Sequence, residues 1–142
     1  MKRSRRPLAP LVEAAVGHAA GEDGRGIAYA RIGSGPDEFL LRLRFGVAER
    51  SALRQREAGY AAVTAVVRAL RARGARRVRL RVDDAALVAD LSGHRDVPPP
   101  IVLPYVRLRC ALNQLDDVDL QLAADADLVH RARAEAVLNV AA

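Results

Sequence analysis

Two adjacent carboxylates are the residues of this chain best placed to do chemistry. They close the alternating part of Arg77-Val-Arg-Leu-Arg-Val-Asp-Asp-Ala-Ala-Leu-Val-Ala-Asp-Leu-Ser-Gly93, where basic and apolar residues alternate up to Asp83 and Asp84 and helical spacing takes over. A carboxylate fixed at the carboxyl end of a strand can hold a hard divalent cation, which takes oxygen ligands. Asp is equally a good N-cap for the helix that starts next. His18, His94, His130 and Cys110 show no ligand spacing with one another. The single cysteine allows no intramolecular disulfide and reads as a core residue in a reducing compartment.

The elements that must position Asp83 follow from periodicity. Leu11 to Val16, Gly26 to Ile32 and Phe39 to Phe45 read as three strands of a meander, the first two joined by the turn-rich Gly21-Glu-Asp-Gly24. From Arg54 to Arg73, Ala58, Ala62, Ala65, Val66, Ala69 and Leu70 recur at helical spacing, and Gly74 supplies the stop. Val78 to Val82 is a fourth strand whose Arg79 and Arg81 share a face with Asp83, and Ala85 to Leu91 a short helix. Asp96-Val-Pro-Pro-Pro100 reads as a stiff loop and Leu103 to Leu115 as a helix with Val106, Cys110 and Leu112 inward. Val118 to Leu122 is a fifth strand, and Asp127 caps a closing helix, Leu128 to Val140. The order β-β-β-α-β-α-α-β-α places strands four and five parallel to the first.

A chain of 142 residues is one domain. Residues 1–9 are expected to be a basic flexible tail, with the Lys2 to Arg6 cluster as a nucleic-acid arm in the sharper reading, and residues 10–142 the folded domain. The net charge of +6 and the isoelectric point near 10.6 favour polyanionic partners, nucleic acid among them. Abundant Arg beside a single Lys also fits GC-rich coding. The start imitates an export signal, but Glu13, His18 and two prolines interrupt its apolar middle. No run approaches the roughly 18 apolar residues of a membrane span, so the expected location is cytoplasmic.

Several motifs in order resemble the ribonuclease H family, in particular the short bacterial ribonuclease H-like or reverse-transcriptase-like domains, over about residues 10–141. Gly74 to Gly93 resembles the family's strand-Asp-Ser-helix-Asn-Gly segment, with Asp83 on the catalytic aspartate and Asp84 in place of the serine. Ala58-Gly-Tyr-Ala-Ala-Val63 resembles Ala-Glu-Tyr-x-Ala-Leu in the long helix, and Ala134-Glu-Ala-Val137 resembles Ala-Asp-x-Leu in the last. The resemblance implies a five-stranded mixed α/β sheet, a three-strand antiparallel meander plus two parallel strands, with helices on both faces. It also implies phosphodiester hydrolysis by two divalent cations held by four acids. Here Asp83 and Glu135 are the remnants of that set. Gly59 stands where the helical glutamate is expected and Gly17, or Ala15, where the first-strand aspartate is expected. Without about three extra residues after strand five, the last position falls near Ala132 instead. Glu13 lies one or two pleats off, at about 7 Å per two residues. Glu57 is turned by about 200° from Gly59.

Three functions follow. The first is a catalytically deficient domain that binds hybrid or duplex nucleic acid. Its arginines are Arg42, Arg44, Arg79, Arg81, Arg76 and Arg77, with Arg68, Arg71 and Arg73 at the end of the long helix. No cofactor is then expected. The second is an active Mg²⁺- or Mn²⁺-dependent RNA–DNA hybrid nuclease, in which Glu13, Glu57, Glu22 or Asp23 replaces the missing acids. The third is a protein-interaction scaffold or homodimer, with Gly59 and Ala58, Ala61 and Ala62 letting a second subunit pack closely.

Overall fold

The computed structural model describes residues 8–33, 35–48, 53–93 and 96–141, with the backbone alone at 35 and 138–141. The Lys2 to Arg6 cluster and His94 lie outside the described residues. Three antiparallel strands come first, β1 (Leu11–Ala20), β2 (Arg25–Ile32) and β3 (Phe39–Gly46). After them run α1 (Arg54–Ala72), β4 (Arg77–Val82), α2 (Ala85–Leu91), α3 (Pro99–Asn113), β5 (Asp117–Leu122) and α4 (Ala126–Ala141). The five strands form one sheet in the order β3-β2-β1-β4-β5, with β4 parallel to both β1 and β5. This is the mixed sheet expected from the order of elements.

Alternation sorts the side chains to two faces. Ala14 and Val16 of β1, Ala28, Ala30 and Ile32 of β2, and Val78, Leu80 and Val82 of β4 point to one side and form the main core with α1 and α3. Helix α1 is buried over more than the predicted stripe, because the sheet covers one side and α3 another; Tyr60, Val63, Thr64 and Val67 join Ala58, Ala62, Val66 and Leu70. Gly74 stops it at φ +92°, where a β-carbon is disfavoured. On the other face α4 lies across β1 and β2 with Leu128, Ala132 and Ala136 inward. Among the described residues no helix is long and apolar enough to cross a membrane.

Four local expectations are corrected. Strand β1 runs on to Ala20, which brings His18 into the sheet. Helix α3 starts at Pro99, because proline is tolerated in a first turn whose N–H groups have no helical partner anyway. The side packed on the core carries Ile101, Leu108 and Ala111, with Leu112 partly buried against it as expected, while Val106 and Cys110 stand on the opposite side and are exposed. The cap of α4 is Asp125, whose Oδ1 accepts from Leu128 N at 3.2 Å, rather than Asp127. Of the four small residues expected to let a second subunit pack closely, Gly59, Ala58 and Ala62 are buried inside this chain and Ala61 alone is partly exposed.

Candidate nucleic-acid cleft

The carboxyl ends of β1 and β4 meet the start of α1 and the first turns of α4 around a cleft of about 310 Å³. Continuing the parallel pairing one step past Val16 and Val82 sets Gly17 beside Asp83, then His18 beside Asp84. Asp83 is exposed and lines the cleft with Gly17, His18, Gln55, Val129 and Arg133. Asp84 has turned to another task. Its Oδ1 accepts from Leu87 N at 3.0 Å and caps α2, as the sequence suggested.

The other Asp84 oxygen explains Gly59. A β-carbon at 59 would sit well inside contact distance of Asp84 Oδ2 and 3.6 Å from His18 Nε2. The position in α1 where an acid was expected is therefore filled by a carboxylate reaching over from α2. His18 packs edge-on against Phe45, with ring centroids 6.3 Å apart, and its Nδ1 is buried without a hydrogen-bond partner among the described residues. Burial pushes its pKa below the usual imidazole value, against the opposing pull of Asp84 and Asp83.

Gly17 has a steric reason too. A β-carbon there would lie 2.6 Å from Leu128 Cβ and 2.7 Å from the backbone of Leu128 and Val129. Helix α4 rests directly on the β1 backbone at this point.

Three acids considered for the site, Glu135, Glu13 and Glu57, are not brought to Asp83. Glu135 is turned toward β2 and β3, where it accepts from Tyr29 OH and from Arg42, whose Nε lies 2.5 Å from Oε1. The Arg42 guanidinium holds the Glu135 carboxyl below the usual carboxylate range, although burial works the other way. Glu13 is four residues before Gly17 on β1, roughly 13 Å along a strand, and is paired with Arg79 at 3.0 Å. Glu57 faces a separate groove between α1 and α3, with Arg68 and Arg107. The α4 residue that does enter the cleft is Arg133, one turn beyond Val129. Gln55 and His18 are the other polar lining residues that the sequence did not assign to a site.

Four of the six arginines expected to grip nucleic acid are engaged within the chain. Arg42 is held by Glu135, Arg79 by Glu13 and Asp119 (3.1 Å), Arg76 by Asp116 (3.4 Å) and Arg77 by Asp117 (3.6 Å). Three of these pairings follow the ladder, because Arg77 stands opposite Asp117 and Arg79 opposite both Asp119 and Glu13. Arg44 and Arg81 make no ion pair among the described residues.

Comparison with solved structures decides the fold. A ribonuclease H1 from the halophilic archaeon Halobacterium salinarum superposes with a TM-score of 0.71 at 24% identity, over 92% of this chain and 99% of the other. The fold is that of ribonuclease H. The N-terminal ribonuclease H domain of a Mycobacterium tuberculosis protein gives 0.69 at 16% identity, over 87% and 95% of the two chains. A compost-derived ribonuclease H1, solved in complex with an RNA/DNA hybrid, gives 0.70 at 15% identity over 92% and 99%. No protein-family model and no curated protein matches the sequence.

The donor set of this ribonuclease H-fold cleft does not fit a pair of divalent cations. Asp83 is one exposed carboxylate, Asp84 caps α2 through Oδ1 and leaves only Oδ2, Gly17 and Gly59 offer no ligand, and Arg133 brings a positive charge. Among the described residues no group of three or more His, Cys, Asp or Glu side chains could hold a metal ion. Magnesium surrenders its water reluctantly and needs more negative charge than this.

The Gly59 and Asp84 relation makes a quantitative prediction. Asp84→Ala should cost about 1 kcal/mol, the typical worth of an N-cap. In that background Gly59→Ala should stabilise by about 0.5–1 kcal/mol through helix propensity. In the wild-type background the same change should bring no gain, because the new methyl displaces the capping carboxylate. Urea denaturation of the four proteins reads the coupling, and additive effects would show that Gly59 and Asp84 do not contact.

Proposed function

We propose that this domain binds RNA–DNA hybrid or duplex nucleic acid without hydrolysing it. The observation that carries the reading is the cleft itself: a ribonuclease H fold in which a guanidinium, two glycines and a capping aspartate stand around Asp83. The charge of +6 supports a polyanionic partner. So do several arginines without ion pairs among the described residues, among them Arg44, Arg81, Arg68, Arg107 and Arg133. The hybrid complex of the compost enzyme supports nucleic acid as the class of partner. Asp83 is the residue retained from the cation site, and Glu135 serves the α4–sheet contact through Arg42 and Tyr29 rather than a metal.

Binding of a fluorescent hybrid should weaken steeply with salt, log Kd rising with log salt at a slope of about 0.9 per phosphate contact. Parallel incubation with Mg²⁺ or Mn²⁺ should leave the RNA strand intact on a denaturing gel. Salt-independent or absent binding counts against the module. Cleavage that disappears in Asp83→Asn would instead establish the active nuclease.

A further inference from the structure

We propose that the cleft is a metal-free ribose-phosphate site, in which the Arg133 guanidinium takes the phosphate of an RNA strand and the Asp83 carboxylate accepts from a ribose hydroxyl. This rests on the binding reading above and names the unit recognised. The argument starts from an unclosed pair. On the α4 side of the sheet three acid–arginine pairs are closed, Arg79 with Glu13 at 3.0 Å, Arg31 with Asp125 at 2.9 Å, and Arg42 with Glu135, while Arg44 and Arg81 stand without an ion pair among the described residues. Asp83 and Arg133 line the same cavity, yet neither makes a hydrogen bond or ion pair among the described residues.

A ligand that bridges them must offer acceptors to one side and a donor to the other. Arg is donor only and matches phosphate through two parallel N–H groups, whereas an ionised Asp is acceptor only. A sugar-phosphate unit supplies both, provided that the sugar keeps its 2′-hydroxyl, the group by which a protein tells RNA from DNA. The volume of about 310 Å³ is at the small end of ligand sites and suits one such unit rather than a whole duplex. Gln55 adds an amide that can donate or accept. The positive charge comes from a guanidinium of the chain itself, so no cation is required to hold the phosphate.

The test measures anisotropy of a labelled RNA–DNA hybrid and of the matching DNA duplex, with and without EDTA. Arg133→Ala should weaken both by roughly tenfold at 0.1 M salt and lower the salt slope by about 0.9, the loss of one phosphate contact. Asp83→Ala should weaken the hybrid and tighten the DNA duplex, since the duplex loses only a repulsive charge. EDTA should change neither. Both residues are exposed, so unchanged melting curves are expected to accompany these shifts. If the wild-type protein binds but Asp83→Ala moves both ligands in the same direction, or Arg133→Ala moves neither, or EDTA releases the hybrid, this assignment falls and the binding module stands. Displacement of the hybrid by equimolar adenosine monophosphate would make a free ribonucleotide the ligand and overturn the RNA-strand assignment. A wild-type protein that binds neither ligand would remove the functional reading and this one with it.

Discussion

Replacing Asp90 by alanine should lower the unfolding free energy by about 3–5 kcal/mol, the cost of breaking a buried ion pair from one side. Asp90 is 1% exposed and sits on α2, against the first turns of α1. Its Oδ2 accepts from Tyr60 OH at 2.6 Å and from Arg56. Arg56 is itself largely covered and its Nε lacks a hydrogen-bond partner among the described residues, so removing the carboxylate strands a guanidinium in low dielectric. Burial and the Asp90 carboxylate together push the Tyr60 hydroxyl well above its ordinary pKa, so it remains a donor throughout the usual pH range. Tyr60→Phe therefore removes a single hydrogen bond and should cost about 1 kcal/mol. The two together separate charge from hydrogen bonding.

A loss of this size is a large part of the 5–15 kcal/mol that typically holds a domain. The double variant Arg56→Met with Asp90→Leu should recover most of it, since apolar residues of similar volume often match a buried pair. Equal destabilisation of the double and single variants in urea would refute the charge argument. The effect also reaches the cleft, because Arg56 follows Gln55 and α2 begins directly after Asp83 and Asp84. Asp90→Ala should thus weaken hybrid binding along with stability, whereas Arg133→Ala should weaken binding alone.

The sheet was legible in the sequence because its strands alternate and its turns carry glycine. Asp83 was legible for the same reason: an alternating strand that ends on an acid and passes into a helical period leaves little freedom in where that acid points. The prolines hid the start of α3, and its exposed side, with Cys110, is set by the packing of Ile101, Leu108 and Ala111 on the core. The last helix shows how a small error of phase misassigns a site. Leu128, Ala132 and Ala136 form its buried stripe, so Glu135 falls on the flank toward β2 and β3 while Arg133 falls on the flank toward the cleft. Glu135 matched a motif by type, but the side of the helix is set by packing on Gly17, a contact between residues far apart in sequence. Asp125 and Asp127 both suit a cap by type, and only the backbone geometry selects the first. The cleft role of His18 was out of reach once β1 was read as stopping at Val16.

Restoring an acid in the first strand should cost stability without starting hydrolysis. Gly17 is buried, and its missing β-carbon is the space on which α4 rests, 2.6 Å from Leu128 Cβ. Gly17→Ala already forces the helix off the sheet, at the 1–3 kcal/mol typical of overpacking. Gly17→Asp adds a carboxylate that must lose its water, so its cost should exceed that of alanine by roughly 1–3 kcal/mol. Both variants should show a lower urea midpoint, aspartate the lower, and neither should cleave hybrid in Mg²⁺ or Mn²⁺. The reason is geometric rather than a matter of charge count. An acid at 17 can be accommodated only if α4 withdraws, and that withdrawal also removes the Leu128, Ala132 and Ala136 packing that holds the cleft wall. A Gly17→Asp protein as stable as the parent would show that α4 can move without loss, and one that cuts the RNA strand would show that an acid at position 17 is all that hydrolysis requires here.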